Sequence, residues 1–386
     1  MIKNFKDLVT HDSLCILPWH GFSLFPNGDV KNCAISKEVL GNIHDDDILS
    51  ILKNEKNQQV KMDMINHVRH DRCDTCYRSE SLQNAHHLQK ISNRSWYMKV
   101  MGNHNLSAYS DKSFFSPEIL DLRWRNTCNF SCIYCGPDLS SSWAKELRDY
   151  SNVVEESSFL KAKEKIFSNL DKVKHVYMAG GEPLLIKENL ELLNLLKTIN
   201  KDVTIRVNTN LSQIKNKIFE SLVTDFKNVK WTVSIDSIEE SFEYVRFPGN
   251  WENFVANLRV LQSSNQDISF NMTWSIVNAE EIFRAFEFLQ KDMKFKDSTF
   301  IVQPVYSPDW LSINHLKNEK LEVLTRLIND YLKKSESFTF SNSLDSMKNF
   351  INLSYAKNIE DTRRNLDRLN QRRRIDLPHY MLKYFQ

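Results

Sequence analysis

All seven cysteines of this 386-residue chain fall into two groups. Three form one short run with the spacing Cys-x3-Cys-x2-Cys: Cys128, Cys132 and Cys135. The other four lie in the first fifth of the chain: Cys15, Cys33, Cys73 and Cys76. Thiolates this close together are typical ligands of a metal centre. The fold therefore has to place the cysteines of each group around one such centre. A group of three is one ligand short of a complete four-ligand site, which leaves a metal position open to a cofactor.

The composition is that of an ordinary globular protein, with 41% hydrophobic and 26% charged residues. A formal net charge of +2 gives no reason to expect specific nucleic-acid binding or an anionic membrane surface. The chain has no apolar run of the ~20 residues that a membrane-spanning helix needs, and its first residues lack a secretory signal. We therefore expect a cytoplasmic protein whose thiols stay reduced. An odd number of cysteines also argues against a disulfide framework.

The first part of the chain, residues 1–85, is predicted to be a small irregular unit that contains the group of four cysteines. Residues 22–33 have the pattern of a hairpin around the turn Pro26-Asn27-Gly28-Asp29. A polar helix is predicted from Ile48 to His67. Residues 86–116 are mixed in character and are interpreted as a connector.

From residue 117 to about residue 315 short apolar runs alternate with helical patterns. The predicted strands are 119–124, 175–178, 203–207, 231–235, 268–273 and 300–303, and helices are predicted at 190–199 and 251–261. Six strands alternating with helices indicate an α/β fold with a parallel sheet, either an open barrel or a doubly wound sheet. Ligands bind at the carboxyl ends of the strands in both architectures. Residues 316–386 are predicted to be helical, and their arginines form either a solvated face or a patch for phosphate or carboxylate groups.

The cysteine run Cys128, Cys132 and Cys135, with Tyr134 before its last member, follows the first of these strands. It resembles the signature of the radical S-adenosylmethionine (radical SAM) superfamily. The resemblance implies a partial (β/α)6 barrel and a [4Fe–4S] cluster held by three thiolates. S-adenosylmethionine would chelate the fourth iron, with Tyr134 packed near its adenine. The alternative on spacing alone is a zinc site with a distant fourth ligand.

The segment Gly180, Gly181, Glu182 and Pro183 follows the second predicted strand. Two glycines permit close approach of the backbone to a ligand, although such a segment is often only a strand-to-helix turn. Its place, one strand-helix unit after the cysteine run, resembles the segment by which radical SAM enzymes hold the methionine amino group.

Polar residues also end the third and fourth strands. Ser234-Ile235-Asp236-Ser237 with the later Arg246 resembles a stretch found in relatives that carry auxiliary clusters, and it implies that Asp236 or Ser234 faces the ribose. Asp236 as a helix N-cap is an equally weighted alternative. Asn208 and Asn210 are further candidates for contacts to cofactor or substrate. No catalytic residue is assigned.

The group Cys15, Cys33, Cys73 and Cys76, with Gly28 between the first two, resembles the SPASM/twitch auxiliary-cluster domain. That domain follows the barrel in most relatives, whereas it comes first here. The resemblance implies a second, fully ligated [4Fe–4S] cluster, and structural zinc is the alternative. His67 and His70 are interpreted as an exposed helix face, with a ligand role as the alternative.

By resemblance, the chain is expected to cleave S-adenosylmethionine reductively to a 5′-deoxyadenosyl radical, which abstracts a hydrogen atom from a substrate C–H bond. The expected reaction is an oxidative or cross-linking modification of a peptide or protein. The alternatives are dehydrogenation or rearrangement of a small molecule such as a sugar or nucleotide, and a non-catalytic iron–sulfur or zinc scaffold. An electron donor such as flavodoxin or ferredoxin is the expected partner.

Overall fold

The structure is a computed structural model that describes residues 12–83, 92–101, 111–150, 156–168, 170–353 and 357–386. Its strands are β1 Gly21–Leu24, β2 Asp29–Lys31, β3 Gly41–Asn42, β4 Ile119–Leu122, β5 His175–Met178, β6 Thr204–Thr209, β7 Val229–Ser234, β8 Asp267–Trp274 and β9 Phe300–Pro304. These strands form a single sheet in the order β3-β2-β1-β4-β5-β6-β7-β8-β9. The order ends on two different strands, so the sheet is open.

The α-helices lie between the strands along the chain or after the last strand, except for Leu17–His20, which precedes β1. They are α1 Leu17–His20, α2 Ile48–Leu52, α3 Glu55–Ile65, α4 Asp74–Ser81, α5 Asn93–Met101, α6 Ser141–Leu147, α7 Glu156–Phe167, α8 Lys187–Ile199, α9 Lys217–Thr224, α10 Glu239–Val245, α11 Trp251–Ser263, α12 Glu281–Glu287, α13 Asn318–Lys334, α14 Phe338–Ile351 and α15 Ile359–Arg373. Short 3-10 turns lie at Asp71–Cys73, Pro183–Leu185, Ile276–Asn278, Asp297–Thr299, Asp309–Leu311, Ile313–His315 and His379–Tyr384, and a π turn at Phe288–Asp292 extends α12.

Strands β4 to β9 are all parallel to their neighbours, which confirms the predicted α/β fold with a partial, open barrel. Side chains alternate between the two faces of each strand. In β6, Ile205 and Val207 are buried in the hydrophobic core, whereas Arg206 and Asn208 line a cavity on the other face. The concave face of the barrel is therefore polar, although its strands are anchored by apolar residues.

The N-terminal strands extend the same sheet, which the sequence pattern did not predict. β1 and β2 form the predicted antiparallel hairpin, and β1 also pairs in parallel with β4, from Gly21 opposite Ile119 to Leu24 opposite Leu122. The four-cysteine unit and the barrel thus share backbone hydrogen bonds. The pairing sets the position of one cysteine group relative to the other.

The helix predicted at 48–67 is two helices, because Asn54 interrupts it. The Asn54 side chain accepts a hydrogen bond from the backbone N–H of Asn57 and so begins α3 as an N-cap. The helix ends at Ile65, and His67 beyond it has a φ of 60°. The segment therefore turns back towards Cys73 earlier than the sequence pattern indicates.

The described C-terminal residues are helical, as predicted. α14 packs against β9 at the edge of the sheet, where the hydroxyl of Ser343 accepts a hydrogen bond from the backbone N–H of Val302 at 3.1 Å. This contact satisfies a backbone N–H at the edge of the sheet that would otherwise need water as its hydrogen-bond partner. None of the described helices combines the length and apolar character needed to cross a membrane.

Strand β1 is buried on both faces, so its apolar side chains should stabilise the N-terminal unit and the barrel together. Replacing Leu24, which is 2% exposed, with alanine should lower the free energy of unfolding by about 3 kcal/mol in urea denaturation. Leu160→Ala is the matched control, because Leu160 is 43% exposed and its loss should cost under ~0.5 kcal/mol. Equal effects of the two substitutions would contradict a structural role for the β1–β4 pairing.

Candidate functional site

The three clustered cysteines lie on a loop that follows β4 and is held by the start of α6. The hydroxyl of Ser141 accepts a hydrogen bond from Cys128 N, and that of Ser142 donates to Cys128 O at 2.8 Å. The indole N–H of Trp143 donates to Cys132 O at 2.8 Å. Serine is common at the N-terminus of a helix, because its hydroxyl can bond to backbone groups. Here the serine hydroxyls at the start of α6 also fix the backbone of the cysteine loop.

Arg373, at the end of α15, holds the same loop from the other side. Its guanidinium donates to Ser131 O at 2.6 Å and pairs with the carboxylate of Glu146 at 3.1 Å. It also lies 4.7 Å from the ring centroids of Trp143 and Phe247. The side chain is 1% exposed, so the interpretation of these arginines as a solvated face is wrong for Arg373.

The Gly180–Pro183 turn packs directly on the cysteine loop. A Cβ on Gly181 would lie 2.0 Å from Thr127 O, and Glu182 N donates to the same carbonyl at 2.7 Å. Gly180 has a φ of 109°, a conformation that side chains rarely adopt. The lack of side chains on these glycines therefore allows the turn to contact the backbone of the cysteine loop. Contact of the turn with a methionine group remains a prediction.

Glu182 connects the ends of β5 and β6. Its carboxylate accepts hydrogen bonds from the hydroxyl of Thr209 at 2.6 Å and the backbone N–H of Asn210 at 2.7 Å. Burial raises the pKa of Glu182 to about 7, although these donors favour the ionised form. The side chain thus fixes the strand ends at the edge where ligands of parallel sheets bind.

Asp236 is fully buried and connects three elements. Its carboxylate accepts hydrogen bonds from the Tyr134 hydroxyl at 2.5 Å and the Thr273 backbone N–H at 2.6 Å, and it pairs with Arg246 at 2.8 Å. The N-cap of the following helix is Ile238, so the N-cap alternative for Asp236 is wrong. Asp236 instead positions the tyrosine next to the last cysteine of the loop.

The four N-terminal cysteines come from three separate segments. Cys15 precedes α1, Cys33 follows β2, and the pair Cys73 and Cys76 spans the start of α4. His70 is buried and its imidazole Nδ1 accepts a hydrogen bond from Arg72 N, so it caps the turn that carries Cys73. The interpretation of an exposed helix face is wrong for both: His67 is exposed but lies beyond the end of the helix, and His70 is buried.

Arg94, in α5, holds this group in the way that Arg373 holds the other. It donates to Leu14 O at 3.0 Å, pairs with Glu80 and stacks on the ring of Tyr77 at 5.5 Å. The carbonyls of Leu14 and Ser131 each belong to the residue before a cysteine. Each cysteine group is thus supported by a buried arginine, a glutamate and an aromatic ring.

The chemistry of the donor groups fits a bound metal cluster. All seven cysteines are free thiols. Burial raises the pKa of every one above its ordinary value, to about 12 for Cys73 and Cys132. Buried thiolates need a compensating cation, and a coordinated metal deprotonates a thiol outright. Arg373 opposes the shift at Cys132, and Arg94 opposes it at Cys73.

A single metal ion is the alternative to a cluster at each group. Tetrahedral zinc needs four ligands, with sulfur at ~2.3 Å from the ion. In the described part of the chain no three His, Cys, Asp or Glu side chains form a group that could hold one ion. The thiols of each group nevertheless lie close enough for their charges to interact.

A chamber of about 220 Å³ opens on the concave face of the sheet. Asn208 lines it from β6, and Ile35, two residues after Cys33, lines it from the N-terminal unit. A second cavity of about 120 Å³ shares Ile35 with it and reaches Cys76. The concave face therefore extends to the four-cysteine group.

The supporting residues Arg94 and Arg373 were missed in the sequence. For Arg373 a signal existed: it lies seven residues after Leu366 and four after Leu369, on the buried face of α15. No comparable signal marks Arg94, whose role depends on contacts with residues far away in the sequence. Ser234 and Asn208 lie at the predicted strand ends, and their cofactor contacts remain predictions.

Comparison with known families agrees with this arrangement. Residues 124–289 match the radical SAM superfamily, and residues 15–77 match the SPASM iron–sulfur cluster-binding domain. The first match contains the three-cysteine loop and the second contains the four-cysteine group. Both cysteine groups therefore lie within segments that match iron–sulfur families, with the SPASM-type segment ahead of the radical SAM segment.

Two curated relatives are similar over half of the chain. The GTP 3′,8-cyclase of Helicobacter pylori strain 26695 is 27% identical over 202 residues, which cover 51% of each protein. The 7-carboxy-7-deazaguanine synthase of Clostridium acetobutylicum is 25% identical over 201 residues, 51% of this chain and 79% of that protein. A Campylobacter lari GTP 3′,8-cyclase is matched over 34% of its length, so the chain spans a third to a half of these cyclases.

Among solved structures, anSMEcpe with bound AdoMet is similar at 15% identity and a TM-score of 0.43, covering 57% of this chain and 62% of that chain. Streptococcus suis SuiB bound to the precursor peptide SuiA is similar at 14% identity and a TM-score of 0.39, covering 76% of this chain and 63% of that chain.

Gly181→Ala should weaken the binding of S-adenosylmethionine about tenfold, or ~1.4 kcal/mol, because the new methyl group displaces the loop at Thr127. Gly136→Ala is the control, since a Cβ there meets no atom within 4 Å. Equilibrium dialysis with labelled S-adenosylmethionine measures both. Unchanged affinity in Gly181→Ala would show that the turn does not determine the loop position.

Arg373→Gln should lower the free energy of unfolding by about 3 kcal/mol, because the mostly buried Glu146 loses its closer partner and keeps only Arg372 at 3.8 Å. Arg364→Gln, in the same helix with a side chain that is 63% exposed, should change it by under ~0.5 kcal/mol. Urea denaturation followed by tryptophan fluorescence compares the two. A loss of similar size in both variants would assign no special role to Arg373.

Proposed function

We propose that Cys128, Cys132 and Cys135 hold a [4Fe–4S] cluster that binds S-adenosylmethionine, and that the enzyme abstracts a hydrogen atom from a substrate C–H bond. Cluster and cofactor, when bound, supply the reductive cleavage that generates a 5′-deoxyadenosyl radical. The observation that carries the proposal is the placement of three thiols, Cys132 buried and the other two partly buried, on one loop at the carboxyl edge of β4. This loop lies within the part of the chain that matches the superfamily.

The cofactor contacts are assigned to the strand ends around that loop. Gly180, Gly181, Glu182 and Pro183 would hold the methionine end, with Asn208 beside them. Because Asp236 is already bonded to three partners, we assign it the task of orienting Tyr134 towards the adenine. Ile235 is buried in the hydrophobic core, so the adjacent Ser234 is expected on the opposite face. Ser234 is therefore the stronger candidate for contact with the ribose.

Cys15, Cys33, Cys73 and Cys76 are proposed to hold a second [4Fe–4S] cluster with all its iron atoms ligated. In this division residues 1–85 form the auxiliary unit, 86–116 the connector, 117–315 the barrel and 316–386 the C-terminal helices. The segment after Cys33 lines the chamber, so the auxiliary site adjoins the place proposed for the substrate. This position suits electron transfer with the substrate and a net oxidation.

A peptide or protein is the first candidate substrate. The chamber and the cavity that reaches Cys76 share the lining residues Ile35, Ser92, Asn93 and Gln303. Together they form an elongated space that can take one side chain while the rest of a peptide stays outside. An oxidised or cross-linked side chain would be the product, and flavodoxin or ferredoxin the electron donor.

A small molecule is the second candidate, which the chamber itself favours. Its walls are polar and carry Arg123 and Arg206, and its size suits a compact ligand. The curated relatives are named for GTP and for a deazaguanine, both small polar molecules. The two candidates differ in substrate and share the radical step.

Dithionite-reduced protein should convert S-adenosylmethionine to 5′-deoxyadenosine, slowly even without substrate, and Cys132→Ala should abolish the reaction because the cluster loses a ligand. Circular dichroism of the variant checks the fold, and chromatography quantifies the product. Full cleavage by folded Cys132→Ala would refute the assignment. Iron-loaded wild type without any cleavage would favour the scaffold alternative. Stimulation by GTP, compared with stimulation by candidate peptides, separates the two substrate classes.

A further inference from the structure

The chamber on the concave face contains an arginine that pairs with no carboxylate in the part of the chain that the structure describes. Arg206 and Arg123 both line it, and no Asp or Glu is among its lining residues. The nearby Asp121 pairs with Arg123 at 3.1 Å and also accepts a hydrogen bond from Ser23 at 3.0 Å. Asp121 thus compensates the charge of Arg123, and it leaves the charge of Arg206 without a carboxylate partner among the described residues.

Arg206 pairs with no Asp or Glu among the described residues. Its Nε donates to the hydroxyl of Thr232 at 2.9 Å, which leaves the charge itself unbalanced. The undescribed segments on either side of α5, residues 84–91 and 102–110, contain no Asp or Glu. A half-buried guanidinium without a counter-ion is costly, which points to an anionic ligand as its partner.

Aromatic residues hold the guanidinium in place. It lies 4.7 Å from the ring centroid of Trp96 and 5.9 Å from that of Tyr177. Stacking of this kind fixes the plane of the guanidinium, so its fork of N–H donors has a defined direction. A planar fork matches the two oxygens of a carboxylate or a phosphate.

The other polar groups around Arg206 can also donate hydrogen bonds to an anion. Asn208 and Asn271 present amide groups to the chamber, and Tyr177 presents a phenol. Burial raises the pKa of Tyr177, which keeps its hydroxyl protonated at neutral pH. The chamber therefore offers several donors around one unpaired cation.

We infer that Arg206 is a substrate-binding residue that recognises an anionic oxygen group, a carboxylate or a phosphate, of a substrate held in this chamber. The inference rests on the proposed function, because it takes the chamber as the place where the substrate meets the radical. It adds a requirement that the proposed function lacks: the substrate carries a negative charge at a fixed distance from the reacting bond.

The test is calorimetric titration at pH 7 of cluster-loaded protein with bound S-adenosylmethionine. Potassium phosphate and sodium acetate are titrated separately, with sodium chloride at equal ionic strength as the blank. Wild type should bind one equivalent of at least one anion saturably. Arg206→Gln should weaken that binding at least about tenfold, since a charge-assisted pair is lost. Arg259→Gln, which removes an exposed arginine of α11, should bind as wild type does.

Two further variants keep the test decisive if Arg206→Gln misfolds. Arg206→Lys retains the charge without the fork, and Trp96→Leu removes the stacking partner, so each should weaken binding about threefold or more. Phosphate binding alone indicates a phosphorylated substrate, and acetate binding alone a carboxylate, as in a small acid or an acidic peptide.

No saturable binding of either anion, or equal binding by wild type and the Arg206 variants, would overturn the inference. The formation of 5′-deoxyadenosine by wild type and Arg259→Gln is measured in the same preparations. Normal cleavage without anion binding refutes the role of Arg206 alone, whereas absent cleavage refutes the proposed function.

Discussion

The removal of seven thiol groups from water is the constraint on which this structure depends: three of the cysteines are buried and four are partly buried. A buried thiolate is unstable without a cation, and burial alone raises the pKa of each of these cysteines. Two sources of positive charge compensate the thiolates. One is the metal cluster proposed for each group, and the other is the buried arginines beside it, Arg94 at Cys73 and both Arg246 and Arg373 at Cys132. Arg94 and Arg373 each pair with a glutamate and donate to the carbonyl before a cysteine. Metal binding and folding should therefore be coupled at both groups.

The sheet gives the two groups a common frame. Because β1 is parallel to β4 and β2 runs antiparallel to β1, the chain leaves β2 towards Cys33 at the opposite end of the strands from the loop that follows β4 and carries Cys128. The chamber on the concave face is lined by Arg123, which directly follows β4, and by Ile35 in the segment after Cys33. A substrate bound there, with its charge on Arg206, would lie on the face of the sheet between the strand ends that lead to the two proposed clusters. The proposed oxidation and the anion site are consistent with this one arrangement.

Much of this was predictable from the sequence, because local patterns determine it. Six strands, the hairpin and the two cysteine groups follow from hydrophobic alternation, turn residues and spacing. The break at Asn54 was missed, since capping competed with a continuous helical pattern. The β1–β4 pairing and the contacts of Arg94 join residues about 80 to 100 positions apart, for which a single sequence has no local signal. The same is true of Asp236. Its position at a strand end was predictable, whereas its hydrogen bond with Tyr134 depends on tertiary packing that the sequence does not show.

The central claim is that the two cysteine groups hold two separate iron–sulfur clusters. Iron and acid-labile sulfide in anaerobically purified protein test it most directly. Wild type should contain about eight iron and eight sulfide per chain, as two cubanes require. The triple variant of Cys128, Cys132 and Cys135 to alanine should retain about half of each, held by the N-terminal group. Stoichiometric zinc with negligible sulfide in the wild type would contradict the account.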